Sequence, residues 1–338
     1  SGTDLLASLP GGTTSIAFSG LNWPVLLNTS KVLTVKLQLG TIGLGAGTTG
    51  ADLTTALTVF TAVSDATGVS DPSAADGGCG TPATCQSIES PVNPAGEALY
   101  AFASIPSITQ GTVSSALTNA IENDVYKFVV NVNPNDGPIA LKQLKFTVVT
   151  QDNSTDQTQT WGSFKLYRGS TDLTTSSVNI HNTAGATLES TNSVAEGTST
   201  VIVTWATEEQ ISSSTEFTLK ATPTGYTVGA EDDSVNVNLA YDSAIQTATD
   251  VYLVDLDSTT LEQTISLQGA AAATVTGTIG ATVTNGPNVI WSDISALPHA
   301  ETNADDADGT QDVPTSSADW RNGYLIQSMP LAGMTKNV

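Results

Sequence analysis

The sequence predicts an all-β protein built of two or more β-sandwich domains. Three observations lead to this fold class: apolar and polar residues alternate with the period of a strand, turn residues separate the alternating runs, and Val and Thr are abundant. The chain has 338 residues, of which 39% are hydrophobic and only 6% aromatic. Since β-branched side chains fit a pleated surface, this mixture favours strands, and the length allows two or three domains.

The clearest strands lie in the middle of the chain. Residues 124–133 and 139–150 alternate apolar with polar side chains, as half-buried strands do. The stretch 134–137 reads Pro-Asn-Asp-Gly, which is turn chemistry because proline fixes φ and the other three tolerate left-handed geometry. Residues 161–170 repeat the strand pattern after a polar gap. These three segments therefore predict neighbouring strands.

Further strands complete a central domain. They are predicted at 177–180, 198–205, 216–222 and 234–241. Seven or eight strands over about 145 residues indicate an immunoglobulin-like sandwich. We therefore expect an immunoglobulin-like domain at 98–242, an N-terminal β-rich domain at 1–97, and an acidic C-terminal β segment at 243–338 that packs on, or exchanges with, a neighbouring domain.

The N-terminal domain carries two predicted strands and a cysteine pair. Residues 13–19 and 32–39 have strand patterns. Cys79 and Cys85 are the only cysteines, and they lie in a loop rich in Gly and Pro. An even cysteine count in such a loop predicts a local disulfide formed in an oxidising compartment. A zinc site fits less well, because two thiols with two distant histidines rarely close a metal site.

The charge of the chain excludes nucleic acid as a partner. The net charge is -23, so no basic surface is available to neutralise phosphates. Six of the ten basic residues lie between Lys127 and Lys220, whereas 221–320 has fifteen acidic residues and no Lys or Arg. This asymmetry allows two interpretations: a basic surface of one copy meets an acidic surface of the next, or the acidic surface only aids solubility.

Two groups of residues are candidate ligand sites. The oxygen-rich loop contains Asn303, Asp305, Asp306, Asp308 and Asp312. Such hard oxygen ligands suit calcium, the one cofactor the sequence suggests, and an unliganded acidic loop is the alternative. The aromatic residues Trp291, Trp320 and Tyr324 form either a platform for stacking a surface glycan or part of the packing of the C-terminal segment.

Glycosylation and catalysis are weaker hypotheses. Asn28 and Asn153 each begin a glycosylation sequon, which is used only if the host has the machinery. His181 and His299 are the candidate general bases, but no nucleophile motif accompanies either of them. We therefore expect the protein not to be an enzyme.

Several separated motifs resemble one family. They are the strand pair at 124–128 and 139–146, Phe-Lys-Leu-Tyr-Arg-Gly-Ser at 164–170, Ile-Trp-Ser-Asp-Ile-Ser-Ala at 290–296 with His299, and Ala-Asp-Trp-Arg-Asn-Gly-Tyr-Leu at 318–325. Together, over roughly 98–338, they are similar to uncharacterised secreted β-rich surface proteins of candidate-phylum bacteria. The resemblance implies an extracellular, cell-surface chain with an immunoglobulin-like domain, and it carries no activity.

The functional prediction follows from these parts. The chain begins at Ser1 and has no apolar run near the roughly 20 residues that span a bilayer, so we expect a mature extracellular chain without a membrane-spanning segment. We expect it to self-assemble into a pilus-like surface filament or a surface layer, through exchange of a strand near 13–20 or at 274–284 between copies. The alternative is a monomeric cell-surface adhesin or carbohydrate-binding module.

Overall fold

The computed structural model describes most of residues 99–338. Within that range it leaves out 134–135, 154–157, 176, 191, 227–232, 246–250, 256–261, 267–286, 297–298, 300–302 and 305–318. Before residue 99 it describes residues 24, 26, 29–32, 34, 36, 40, 42, 49–56, 62–63 and 70–71. The chain divides into two compact units, Ser1–Gly40 and Thr41–Val338, and the sheets described next belong to the second.

The described residues form strands and no α-helix. The strands are β1 (Ala51–Leu53), β2 (Ala62–Val63), β3 (Ser70–Asp71), β4 (Leu99–Ala101), β5 (Ser107–Gln110), β6 (Asn123–Asn131), β7 (Ile139–Gln151), β8 (Thr160–Arg168), β9 (Thr171–Asp172), β10 (Val178–His181), β11 (Ser193–Ala195), β12 (Gly197–Ile211), β13 (Thr215–Thr224), β14 (Ser234–Leu239), β15 (Val251–Asp255), β16 (Glu262–Ser266), β17 (Val289–Ser292), β18 (Asn303–Ala304), β19 (Trp320–Asn322) and β20 (Met334–Asn337). A short 3-10 helix covers Gly323–Leu325. Among these residues there is no helix of the length and apolar character that a membrane crossing requires.

Two antiparallel sheets make up the body of the second unit. The seven-stranded sheet has the order β10-β12-β7-β14-β20, with β17 paired to β7 and β19 paired to β17. The six-stranded sheet has the order β11-β8-β13-β6-β5, with β9 paired to β8. Smaller sheets join β1 to β4, β2 to β3, and β15, β16 and β18 in that order. The all-β prediction is therefore confirmed, as are the predicted central strands.

One hydrophobic core joins the two large sheets. Phe128 and Phe217 of the six-stranded sheet stack with ring centroids 5.4 Å apart, and Phe146 of the seven-stranded sheet lies 6.1 Å from Phe128. Trp205 of β12 meets Phe217 edge to face at 6.1 Å. Each such aromatic pair contributes roughly 1 kcal/mol beyond the area it buries. The alternation read in 124–150 thus marks the faces that meet in this core.

The strands are wound as nested pairs. β6 pairs with β13, β7 with β12, and β8 with β11, so a long hairpin is folded across both sheets. From β6 to β14, apart from the two-residue β9, consecutive strands lie alternately in the two sheets. An immunoglobulin domain instead keeps its first two strands in one sheet and its fourth and fifth together. This winding differs from that of an immunoglobulin domain, so the immunoglobulin-like part of the prediction is not confirmed. Alternation along a strand does not encode its partner.

The central strand β7 is buried on both faces at 139–146. A register shift in its pairing with β17 marks one extra residue in β7, at Lys142, and Leu141 and Leu144 both reach the core. Lys142 and Gln143 lie between them and are buried as well. A strand covered on both sides needs a second layer over its outer face. Ala140 of β7 packs there in a small apolar cluster that includes Ile290 and Trp320.

Strands from 243–338 belong to the same sheet as the predicted central domain. β17 pairs with residues 140–144 of β7, in line with β14, which pairs with 146–151. β20 then pairs with the outer side of β14. The boundary expected near residue 242 consequently does not separate two sheets, because the later strands extend the first sheet within the chain.

Candidate functional site

The most concentrated polar group in the described chain is His299 with Glu208 and Asp319. His299 Nδ1 lies 2.9 Å from Asp319 Oδ2, and Nε2 lies 2.7 Å from Glu208 Oε2. Because ionised carboxylates can only accept, both ring nitrogens donate a proton and the ring is an imidazolium. Burial by itself lowers the pKa of His299, but the hydrogen bonds to Asp319 and Glu208 outweigh it and raise the pKa to about 10.

The surroundings of this triad fix its geometry. Asp319 is fully buried and also accepts the N–H of Ala296 at 3.0 Å. The ring of Trp320 packs 5.6 Å from the ring of His299. Burial raises the pKa of Glu208, but hydrogen bonds from His299 and Gln210 lower it by more, so the net shift of the pKa is downward. The triad therefore ties β12 to the segments around His299 and before β19.

This arrangement stabilises structure and does not suit acid–base catalysis. Both imidazole nitrogens are occupied by carboxylates, which leaves none to activate a nucleophile. The two carboxylates lie on opposite ring nitrogens, so they do not converge on a common point as metal ligands would. Within the described part of the chain, no group of three or more His, Cys, Asp and Glu is arranged to hold a metal ion.

His181 lies in an opposite environment. It is buried, its Nδ1 lies 3.0 Å from Asn182 O, and its Nε2 lies 3.2 Å from Thr204 Oγ1. A carbonyl can only accept, so Nδ1 carries the proton and Nε2 accepts from the Thr204 hydroxyl. Burial, opposed by the Asn182 hydrogen bond and assisted by the charge of Lys145, lowers the pKa of His181 to about 4. The ring is therefore neutral at neutral pH.

Asp242 holds the junction between β14, β17 and β19. Its Oδ1 accepts the N–H of Asn288 at 2.8 Å, and its Oδ2 accepts those of Val289 at 3.1 Å and Gly323 at 2.8 Å. A Cβ on Gly323 would lie 2.8 Å from the Val289 Cβ and 3.1 Å from this carboxylate. Only glycine fits there without displacing the backbone of the junction.

Asp293 makes a similar connection to the start of the described sheets. Its Oδ2 accepts the Thr49 hydroxyl at 2.6 Å and the Ala103 N–H at 2.8 Å. Its Oδ1 accepts the Ser295 hydroxyl at 2.6 Å. The buried Arg321 donates to Thr49 O at 2.8 Å. These polar contacts hold the C-terminal strands against the segments around β1 and β4.

The basic residues of the two large sheets are already engaged. Those on the six-stranded sheet face acids: Lys127 with Glu216 at 3.3 Å, Lys165 with Glu122 at 2.9 Å, Lys220 with Asp124 at 3.3 Å, and Arg168 with Glu209. Those that are buried are Lys142, Lys145, Arg321 and Lys336. All six basic residues between Lys127 and Lys220 are thus ion-paired within the chain or buried.

Two lysines remain, and both lie in the unit Ser1–Gly40. Lys31 and Lys36 are exposed. Lys31 Nζ donates to the carbonyl of Pro24, and neither lysine has an acidic partner among the described residues. The described residues of the stretch 32–39 are Val32, Thr34 and Lys36; all are exposed and none lies in a sheet. The strand predicted there is therefore absent at these positions, while the rest of the stretch lies outside the described residues.

The three aromatic residues of the proposed glycan platform do not share a surface. Trp291 is 0% exposed, its Nε1 donates to Asn322 O at 2.8 Å, and its ring lies 5.6 Å from that of Phe102. Trp320 is 1% exposed, whereas Tyr324 is 44% exposed. Neither indole offers a face to a sugar, because both are committed to packing the C-terminal strands.

Most other predicted site residues lie outside the described chain. This applies to Cys79, Cys85, Asn28, Asp305, Asp306, Asp308 and Asp312. Asn303 lies in β18. Asn153 is exposed, as a glycosylation site requires, and its N–H donates to Asp233 Oδ1 at 3.0 Å. The strands predicted at 13–19 and 274–284 also lie outside the described residues, so the disulfide, calcium and exchange hypotheses stay predictions.

Comparison with known proteins adds no relative. No family model matches the chain, and no curated protein matches it. The resemblance to surface proteins of candidate-phylum bacteria therefore stays a prediction. Sequence reasoning singled out His299 but missed Glu208 and Asp319. The one available signal was the acidic character of the residues between His299 and Asp319, and nothing near Glu208 indicates its role.

Proposed function

We propose that this protein is an extracellular structural subunit that assembles with copies of itself, by strand exchange, into a pilus-like surface filament or a surface layer. The observation that carries the proposal is the stretch 32–39: its sequence alternates as a strand, yet its described residues are exposed and outside the sheets. Val32 is 88% exposed. Such a segment gains backbone partners and apolar cover when it adds to a sheet of another copy.

The edges of the two large sheets indicate where a strand can be added. β20 is covered by residues 115–117, with Leu117 N–H donating to Asn337 O at 2.8 Å. β5 is covered at Ile108, whose N–H donates to Gln327 O at 3.1 Å, and β10 at Ile180, whose carbonyl accepts from Leu188. Among the described residues, no such bond covers β11, the outer strand at one end of the six-stranded sheet. We take β11 as the acceptor edge, because an uncovered edge presents unpaired backbone groups.

The polar clusters of the body support a structural role. Asp242, Asp293 and the His299 triad each join segments that are distant in the sequence. Asp242 and Asp293 accept hydrogen bonds at both carboxylate oxygens, and both ring nitrogens of His299 are engaged by carboxylates. An enzyme site would instead keep a group available to a substrate. The buried indoles of Trp291 and Trp320 weaken the alternative of a carbohydrate-binding module.

We also infer that the body is a single jelly-roll sandwich, and not an immunoglobulin-like domain followed by a separate C-terminal domain. The nested pairs of β6 with β13, β7 with β12 and β8 with β11 support this, since a jelly roll is a long hairpin wrapped across two sheets. The pairing of β17 with β7 supports the inclusion of the C-terminal strands.

The experiment is electron microscopy and sedimentation of the full chain beside Thr34→Pro. Proline cannot donate to a ladder, so Thr34→Pro should leave a folded monomer while the unmodified chain forms ordered filaments or sheets. Gly40→Pro is the matched control: it lies directly after the stretch, and a Cβ there meets nothing within 4 Å. A full chain that stays monomeric at every concentration overturns self-assembly. Normal polymers from Thr34→Pro overturn exchange through this segment.

A further inference from the structure

We propose that Lys31 and Lys36 dock the N-terminal segment onto an acidic surface of a second copy of this chain, and so determine which surface the exchanged strand recognises. This inference rests on the proposed self-assembly and adds the chemistry of its interface. Its support is a census of charge that covers every basic residue, because all ten lysines and arginines lie among the described residues.

The census leaves two cations for an intermolecular role. Four basic side chains form ion pairs within the chain, and four more are buried. A buried cation must lose its present partners before it meets a new one, and the charge of an ion-paired cation is already partly balanced by its own acid. Lys31 and Lys36 have no acidic partner to lose among the residues that the structure describes. A second copy can therefore contact these two lysines without breaking an ion pair or exposing a buried cation.

The charge of the partner follows from the same count. The chain carries 33 acidic and 10 basic residues, so the surface of any second copy is predominantly negative. Two copies with a net charge of -23 each repel one another unless a local cation faces the contact. A segment that carries the available cations is the part of the chain for which an approach to another copy is electrostatically favourable.

The spacing of the two lysines defines the acceptor further. Once the segment is extended, Lys31 and Lys36 stand on opposite faces because their separation is odd, and they lie roughly 16 Å apart at 3.3 Å per residue. In an extended strand, Lys36 shares one face with Thr34 and Val32, and Lys31 shares the other face with Leu33 and Val35. The acceptor therefore needs a carboxylate near each end of a strand of about five residues, one on each face of its sheet.

Carbodiimide cross-linking tests this contact directly. The reagent joins an amine to a carboxylate without a spacer, so it captures contacting Lys and Asp or Glu pairs. An assembled mixture of normal and ¹⁵N-labelled chains identifies cross-links between copies by mass. Cross-links between copies should start from Lys31 and Lys36, whereas Lys127 and Lys165 should give cross-links within one chain, to Glu216 and Glu122. Intermolecular cross-links that start mainly from other lysines overturn the inference.

A pair of double variants tests the energetic contribution. Lys31→Gln with Lys36→Gln changes the net charge by the same amount as Lys127→Gln with Lys165→Gln, so non-specific repulsion is matched. The N-terminal double variant should raise the concentration needed for assembly roughly two- to thirty-fold, as the loss of two exposed ion pairs implies, and the control should change it far less.

The outcomes separate the two proposals. If the unmodified chain does not assemble, self-assembly fails and this inference fails with it. If the unmodified chain assembles, but the two double variants behave alike, the docking role of Lys31 and Lys36 is overturned while self-assembly stands. Circular dichroism of all variants confirms that each remains folded, which is expected because none of the four lysines is buried.

Discussion

The two histidines of this chain are withdrawn from water, His181 almost fully and His299 in part, yet one is held neutral and the other charged. His181 faces a carbonyl and a hydroxyl, and the charge of Lys145 disfavours its protonation. His299 lies between the carboxylates of Asp319 and Glu208. Burial alone lowers the pKa of both rings, so the difference teaches that the neighbours decide the charge. Each environment belongs to a different part of the seven-stranded sheet.

The two sites give opposite dependences of stability on pH. The pKa of His299 is raised to about 10, so its contribution is fully present below its ordinary pKa and is lost as pH rises through about 10. The pKa of His181 is lowered to about 4, so below its ordinary pKa the unfolded chain takes up a proton that the folded ring refuses. Stability should therefore be greatest near pH 6.5. It should fall on the alkaline side because of His299, here called the alkaline limb, and on the acid side because of His181, here called the acid limb.

The largest effect should come from removing one carboxylate of the triad. Asp319→Asn leaves a buried imidazolium with only Glu208 to balance it, and breaking one side of a buried ion pair costs about 3 kcal/mol. We expect urea denaturation at pH 7 to show a loss of that order, and NMR titration to show a lower pKa for His299. Glu216→Gln, which removes an exposed partner of Lys127, is the control and should cost less than about 1 kcal/mol. Equal losses in the two variants would contradict the comparison.

The alkaline limb should depend on His299. In the unmodified chain, the free energy of unfolding should fall as pH rises from 6.5 toward 8, because the folded state keeps the His299 proton that the unfolded state has released. Above pH 8 the folded chain releases the proton of Lys145, whose pKa burial lowers to about 8, and this opposes the fall. His299→Gln keeps a polar side chain without a titrating group, so it should lower stability at pH 7 and remove this slope. Urea midpoints measured at several pH values are the readout. A variant with an unchanged slope would refute the assignment.

The acid limb should be the smaller of the two, since the shift at His181 is smaller. Between pH 6.5 and 5 the unmodified chain should lose stability as the unfolded state protonates. His181→Asn retains a donor and an acceptor near Asn182 and Thr204, and it should flatten this window while leaving the alkaline limb intact. Thermal unfolding in matched buffers measures both. Should the acid limb persist in this variant, other groups, such as the Glu208 carboxyl with its lowered pKa, would be its source.

The sequence predicted strands well and their partners poorly. Alternation located β6, β7 and β8 because the period of two shows which side chains share a face. It does not show which strand lies beside another, and so the nested winding across two sheets was missed. β17 was not predicted as a strand, because its four residues are all buried and show no alternation.

The polar clusters were missed for a related reason. His299 and Glu208 are 91 positions apart, and the chain between them passes through several strands before they meet. A sequence shows that a histidine has acidic residues nearby, but the charge of His299 depends on two particular carboxylates that only the fold brings into contact. The glycan platform illustrates the reverse case. Trp291 and Trp320 are aromatic residues that suit either role, and packing against Phe102, Ile290 and His299 decides between them.

The distribution of basic residues also determines how a trypsin-like protease acts on this protein. Such an enzyme cuts after Lys or Arg and needs an accessible, locally unfolded chain. Eight of its ten sites are ion-paired or buried in the second unit, whereas Lys31 and Lys36 are exposed in the first. Digestion should thus trim the N-terminus and spare the sandwich. In a protein-degrading environment, one cut would separate the sandwich from the segment proposed to join neighbouring copies.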